Sequence, residues 1–498
     1  MNCPFAVGSR SQFRSLRLSA CFAAGVGAVG LSACARNPVT GKNELALVSE
    51  AQEIEMGRGA AQQVEQSIGF VNDPQLQTYV ATIGKRMAAQ SERPELPWEF
   101  HVVNDASVNA FALPGGFIYV TRGLLTHVGN GAQLASVLGH EIGHVTARHS
   151  VQQISKAQVA QLGLGLGSIL SSDVAQVAGI ASQGLGILFL KYGRDAEKQA
   201  DELGFKYALG QNYDVREMDD VFVTLGRVGE AAGAGRLPEW LSSHPNPENR
   251  VESTQARLDS LSRDLSSLTL DREGYLGQIA GLTYGEDPRQ GFFEGNAFYH
   301  PDLRFQLEFP EGWKTQNTPQ AVVAVSQSQD AMIQLGLAGK TPPGQAAQQF
   351  LSQEGVRAGQ ASTSSVNGNQ AASSYFEAQT EQGAVQGLVS FISYGGNTYG
   401  LLAYTPAGKL QQYDRVFQQA IGSFTQLRNQ AALSVQPAKL ELVKLREEMT
   451  LQEFNARYPS TVPIEELAII NEVEGPASEI PAGRTLKRVV GGRPNPTG

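Results

Sequence analysis

Leu134, Val137, Leu138, Ile142 and Val145 recur at helical spacing between residues 133 and 149, with no proline among them, which predicts an α-helix. Upstream, Ser49 with Gln52 three positions on reads as a capping box, and Glu50 and Glu53 suit the first turn, so a helix is predicted from about residue 50 to about 66. Asp73 and Pro74 open a second helix that runs to about residue 90. Residues 98–103 alternate like a strand, and residues 109–121 read as a hairpin turning at Pro114, Gly115 and Gly116. Pro114 suits an edge strand, because proline cannot donate to a sheet ladder. Such an edge can dock an extended peptide by strand addition or can simply pack as a hairpin, and the residues alone do not choose.

Further on the pattern changes. Residues 157–190 are glycine-rich and apolar, with Asp173 as the one charge. Three readings remain there: a membrane hairpin interrupted by Ser171, Ser172 and Asp173, a pair of close-packed helices, or a lid touching lipid or a hydrophobic client. Residues 194–201 are again helical in spacing. Residues 266–295 are polar and poorly periodic and read as a linker. Between residues 296 and 428 alternating stretches such as 305–308, 386–393 and 398–404 predict strands, with helices near 344–354 and 408–423. Residues 437–490 read in the order strand, helix, helix, strand. The 498 residues thus divide into several domains, with 34–48 as a tether, 49–265 as the first folded domain, and 296–428 and 437–490 as two more.

The first 33 residues read as a signal segment: Arg10, Arg14 and Arg17 precede an apolar run that is short for a membrane span. That run ends in Leu31-Ser32-Ala33-Cys34, which resembles a bacterial lipobox, implying cleavage before a lipidated Cys34; a plain secretory signal is the alternative. The other two cysteines, Cys3 and Cys21, lie before that point, so the folded part would keep no other thiol outside the cytoplasm. Ala35 follows the cysteine, and in lipoproteins of this kind the resemblance implies sorting to the outer membrane, facing the periplasm. The net charge is -9 and no block of lysine or arginine occurs, which argues against nucleic acid as a partner.

The chemistry concentrates in His140-Glu141-Ile142-Gly143-His144. Residues four apart share a helix face, so His140 and His144 project together and can hold one zinc ion per chain. Glu141 lies about 100° round the helix, within reach of a water at that metal as a general base. Gly139 and Gly143 weaken a helix by about 1 kcal/mol each against alanine, and close approach of the backbone to metal or substrate would account for them. A catalytic zinc needs a third ligand. Glu197 and Asp201 share a helix face downstream: Glu197 can complete the ligand set, and Asp201 can accept from the outer nitrogen of a ligand histidine.

These residues, with Asn109-Ala110-Phe111-Ala112 before the metal motif, Ser243-His244-Pro245 and Arg250 after it, and the opening at Asn37, resemble the zinc metallopeptidase family that includes HtpX, the CAAX prenyl proteases and the periplasmic BepA type. The resemblance spans roughly residues 37 to 265. It implies a mainly helical, zincin-like fold with a short sheet whose edge, Asn109 to Ala112, binds substrate, and it implies Glu197 as the third ligand. It also implies that His244 lies near the metal, either stabilising the oxyanion or plugging the resting site. Gly229, Gly233, Gly235, Pro245 and Pro247 surround His244, a segment able to swing as a gate. Residues 296–428 are similar to small α+β domains of the PsbP type, and 437–490 resemble a LysM module, whose relatives bind peptidoglycan; a degenerate copy that binds protein is the rival. The expected whole is a multidomain α+β chain. It would be an exported, lipid-anchored zinc endopeptidase that cleaves unfolded or misassembled envelope proteins. The alternative is a largely inactive, plugged-site chaperone or peptidoglycan-associated scaffold.

Overall fold

The computed structural model describes residues 34–161, 191–231, 240, 243–244, 247–262, 264–318, 321–358, 361–380 and 383–492. The predicted signal segment, most of the apolar stretch 157–190, and Gly233, Gly235 and Pro245 of the predicted gate lie outside the described residues. The chain mixes helix and sheet and groups into two units: Met1–Ile279 with Ile469–Glu472, and Ala280–Ala468 with Val473–Gly498. Among the described residues no helix is long and apolar enough to cross a membrane.

The first unit starts with a hairpin, β1 (Cys34–Arg36) against β2 (Asn43–Leu45). Residues 34–48 are therefore not a loose tether. Asn37 is buried, its Oδ1 accepts from Val39 N and Thr40 N, and its Nδ2 donates to Ala147 O. Helices α1 (Glu50–Ser67) and α2 (Pro74–Ala88) follow, the first with the capping box of Ser49 and Gln52, the second capped by Asp73. Strands β3 (Glu99–Val103), β4 (Ala110–Leu113) and β5 (Phe117–Thr121) form a sheet in the order β3-β5-β4, with β3 parallel and β4 antiparallel to β5. The turn between β4 and β5 places Gly115 at φ 83° and Gly116 at φ 106°, a region that side-chain-bearing residues rarely adopt. β4 is an edge strand, and Pro114 lies in the turn just beyond it rather than in its ladder.

Helix α3 (Arg122–His127) leads into α4 (Gly131–Thr146), which is capped by Asn130 and buried along its whole length. The helix stops at Thr146 rather than at 149, and α5 (His149–Gln161) starts anew. Helix α6 (Arg194–Gly210) lies against α4 at very short range. A Cβ on Gly139 would sit 2.9 Å from Gly204 O, one on Gly204 would sit 2.8 Å from His140 N, and one on Gly143 would sit 3.0 Å from Ala200 O. The glycines of the motif are thus explained by helix–helix approach, not by metal or substrate against the backbone. Helices α7 (Glu217–Ala231) and α8 (Pro247–Ser260) complete this side.

Arg93 ties the first turn of α1 to the end of α4. It is 6% exposed, donates through Nη1 to Glu53 Oε1 (2.8 Å) and Val145 O (3.0 Å), and through Nη2 to Glu53 Oε2 (3.0 Å) and Glu50 Oε2 (3.0 Å). A buried charge is tolerated when paired in this way.

The linker expected at 266–295 is ordered structure. Helix α9 (Arg272–Ile279) buries Tyr275, Leu276 and Ile279, and Tyr275 Oη donates to Leu125 O. Three apolar positions in eight residues are too short a run for periodicity to announce, so the segment read as polar. Its last part contributes β6 (Thr283–Tyr284) and β7 (Phe292–Glu294) to the second unit.

In that unit, β8 (Ala297–His300), β9 (Phe305–Glu308) and a late strand, Thr425–Gln426, extend a sheet from β7. A larger antiparallel sheet includes two paired twelve-residue strands, Asn369–Thr380 and Gly383–Tyr394. Tyr413, Phe417, Ala420 and Ile421 of helix Leu410–Gly422 pack into its core with Phe298, Phe305 and Leu401. Near the end, strands Ala438–Lys444 and Thr485–Gly491 pair antiparallel, with helices Leu451–Arg457 and Ile464–Ile470 between them in sequence. This is the expected strand–helix–helix–strand order.

Candidate active site

His140 and His144 leave the same face of α4, and α6 brings Glu197 from its first turn to meet them. His140 Nε2 lies 2.9 Å from His144 Nε2 and 3.6 Å from Glu197 Oε2, and His144 Nε2 lies 3.5 Å from Glu197 Oε1. His244 joins the group: its Nδ1 is 3.0 Å from Glu197 Oε1 and 3.2 Å from His140 Nε2. All four side chains are buried, and one ligand atom from each lies within 4.8 Å of the others.

These separations suit a metal. Four donors about 2.0–2.2 Å from a tetrahedral zinc stand about 3.3 Å from one another, and the observed distances straddle that value. The donor set of imidazole and carboxylate is also what zinc takes. The ring protonation fits as well. Asp201 Oδ1 accepts from His140 Nδ1 at 2.9 Å, which leaves Nε2 bare and turned inward. Arg250 Nη2 also approaches His140 Nδ1, at 3.1 Å, but the carboxylate between them is the acceptor for both. Burial alone would raise the Asp201 pKa; the Arg250 guanidinium and the bond from His140 hold it well below the usual carboxylate range.

Arg250 is itself fixed. Its Nε donates to Asp201 Oδ2 at 2.9 Å, and its guanidinium lies over the rings of Phe222 (4.2 Å) and Trp240 (4.6 Å). Trp240 also stacks on His244, centroids 4.9 Å apart at 27°, which holds that imidazole over the cluster. Burial would also raise the Glu197 carboxyl, but His244, His140 and Arg250 outweigh it and keep it below the ordinary value.

Glu141 is buried beside the cluster, with Oε1 3.6 Å from His244 Nε2 and no hydrogen-bond partner for that atom among the described residues. Burial pushes its carboxyl up, partly offset by His244 and His140. A carboxyl raised by burial, with one oxygen free of hydrogen bonds, suits proton transfer. The edge strand β4 packs on α4, and Asn109 just before it is buried with an unpartnered Oδ1 among the described residues. Cys34 begins β1, opposite Leu45.

Sequence reasoning had no role for His149, Gln199, Tyr192 or Trp240. His149 was visible only as one of three histidines in ten residues. The others carry no motif, and their roles follow from packing.

Residues 74–258 match Peptidase family M48. A beta-barrel assembly-enhancing protease of Yersinia pestis is 30% identical over 263 residues, 50% of this chain and 52% of that one. That of Escherichia coli strain K12 is 30% identical over 233 residues, 45% of this chain and 47% of that one. The mitochondrial metalloendopeptidase OMA1 of Arabidopsis thaliana is 37% identical over 169 residues, 33% of each chain. The chain spans about half or less of the length of these curated relatives. A cyanobacterial PsbP from Synechocystis aligns over 26% of this chain and 91% of that one at 14% identity and a TM-score of 0.23. Residues 74–258, which contain the buried donors His140, His144, Glu197 and His244, are thus the part of this chain that is similar to peptidase family M48.

Proposed function

We propose that this chain is a zinc-dependent endopeptidase of the bacterial cell envelope that cleaves misfolded or misassembled proteins. The observation that carries the reading is the buried His140–His144–Glu197 donor set with Glu141 at its side, its Oε1 free of hydrogen bonds among the described residues. A zinc ion held by His140, His144 and Glu197 would polarise the scissile carbonyl and acidify the attacking water. Glu141 takes the proton from that water and passes it to the leaving amine nitrogen. Asp201 and Arg250 keep His140 oriented throughout. The edge of β4 would hold the substrate backbone in extended form, as strand addition does.

The test is Glu141→Gln, which keeps size but cannot accept the proton. It should retain zinc and fold and lose about 10²- to 10⁴-fold in hydrolysis of an unfolded protein such as casein. Cleavage at the wild-type rate would rule the mechanism out.

A second reading is favoured by one contact: His244 Nδ1 lies as close to the donor atoms as they lie to each other. His244 would then fill the fourth position at rest and swing out to assist the oxyanion in turnover. Activity that rises in His244→Ala supports a plug, and activity that falls about 10²- to 10³-fold supports an oxyanion donor. For location, Cys34 is the proposed lipidated N-terminus, and mass spectrometry of membrane-extracted protein decides it. Peptidoglycan is the proposed partner of residues 437–490, by their element order; failure to sediment with purified cell wall would remove it.

A further inference from the structure

We infer that His149 is a positioning residue of this metal centre: it sets the tautomer of His144 and so keeps the His144 Nε2 lone pair facing the donor cluster. The inference rests on the metal reading above. His144 Nδ1 lies 2.9 Å from His149 Nδ1, and His149 Nε2 lies 3.0 Å from Gln199 Oε1. Both rings are buried. The carbonyl oxygen of Gln199 only accepts, so His149 carries its proton on Nε2 and leaves Nδ1 bare. His144 then donates from Nδ1, and its Nε2 is free of a proton. A ring nitrogen that holds a proton cannot ligate, so the partner on the far side of the ring decides whether the ligand is ready.

The backbone delivers this contact by a specific break. On an uninterrupted helix, a residue five positions beyond His144 would be turned about 140° away from it. Here α4 ends at Thr146, Arg148 adopts φ 59°, and α5 restarts at His149, so the His149 ring returns beneath His144. Left-handed backbone is unfavourable for a long side chain, and Arg148 is held in it from both sides. Its Nε donates to Glu53 Oε2 at 2.9 Å and its Nη2 to Val48 O at 2.9 Å. Tyr192 stacks on the His144 ring at 4.1 Å between centroids, which limits its rotation. The two helical ligands are thus oriented by different groups: His140 by a carboxylate, His144 by a neutral histidine backed by an amide.

The experiment uses the full chain. Zinc affinity is measured by competition with a chromogenic chelator, and the visible spectrum is recorded after cobalt substitution. The variants are His149→Ala, His149→Asn, Gln199→Leu and Gln199→Glu. Asparagine places an acceptor oxygen where the histidine Nδ1 lies, and glutamate, acceptor only, preserves the direction of the chain of bonds. His149→Ala should bind zinc about 10- to 100-fold more weakly with a shifted cobalt spectrum. His149→Asn should recover most of that loss, Gln199→Glu should match the wild type, and Gln199→Leu should fall between. Equal losses in His149→Ala and His149→Asn would mean packing alone and overturn the inference, as would unchanged affinity in both. Should His149→Ala fail to fold, His149→Asn and the Gln199 pair still decide, because Gln199→Leu binding zinc as tightly as Gln199→Glu also overturns it. A wild type that binds no zinc refutes the metal reading itself, a result distinct from a zinc-binding wild type indifferent to His149.

Discussion

His140 Nε2 and His144 Nε2 stand 2.9 Å apart in a buried site. With both outer nitrogens engaged, two lone pairs face each other at that distance, and a shared cation turns the repulsion into attraction. The purified protein is therefore expected to hold one zinc ion per chain and to lose most of it in His140→Ala. Metal analysis checks this, and zinc content unchanged in that variant would sink the assignment.

Asp201 serves both His140 and Arg250, so removing its charge should be felt twice. Asp201→Asn weakens the acceptor for His140 Nδ1 and is expected to lower zinc affinity by about 10- to 100-fold. It also leaves the buried Arg250 guanidinium without its hydrogen-bonded carboxylate, with only Glu197 Oε2 at 3.4 Å as an ion-pair partner, at a cost of up to about 3–5 kcal/mol. Chelator competition and urea unfolding read the two effects separately. A stability within about 1 kcal/mol of wild type would show that Arg250 finds compensation elsewhere.

The α4–α6 approach predicts opposite signs for two glycine-to-alanine changes. Gly204→Ala puts a methyl group 2.8 Å from His140 N and should destabilise by about 1–3 kcal/mol despite the better helix propensity of alanine. Gly226→Ala, mid-helix in α7 with nothing within 4 Å, should stabilise by up to about 1 kcal/mol. Urea midpoints moving the same way in both would contradict the packing argument.

Asp219 supplies a pH dependence away from the metal. Burial pushes its carboxyl up to about 6, partly offset by a bond from Thr254, and its Oδ1 has no partner among the hydrogen bonds of the described residues. The unfolded value is about 3.9, so the native state binds this proton more tightly. The contribution to stability is full below about pH 4 and is lost as pH rises through about 6. The side chain is only half-buried, so the loss is discounted to about 1 kcal/mol. Asp219→Asn should match wild type near pH 4.5 and exceed it near pH 7.5 in urea unfolding; an equal difference at both would remove Asp219 as the cause.

Much of the fold was legible because it is local. The capping box at Ser49, Asp73 before Pro74 and the Pro114-Gly115-Gly116 turn each act within a few residues, and each produced the element expected. The segments misread were those whose order comes from distant partners. Asn37 is buried by Ala147, 110 positions on, and Tyr275 by Leu125, 150 positions back. Neither partner leaves a trace in the short polar stretches that contain these residues, so both stretches read as tether and linker.

The site divides the same way. The sequence by itself determined that two histidines four apart on a helix share a face and that Glu141 lies beside them, because helical pitch alone sets those directions. Only the tertiary structure decided which nitrogens those histidines turn inward. That depends on Asp201 from another helix, and on His149 carried back by a left-handed residue that Glu53 and Val48 hold in place. It also decided that Gly139 and Gly143 serve the contact with α6, since the need for a missing Cβ is created by the neighbour, not by the helix that carries the glycine.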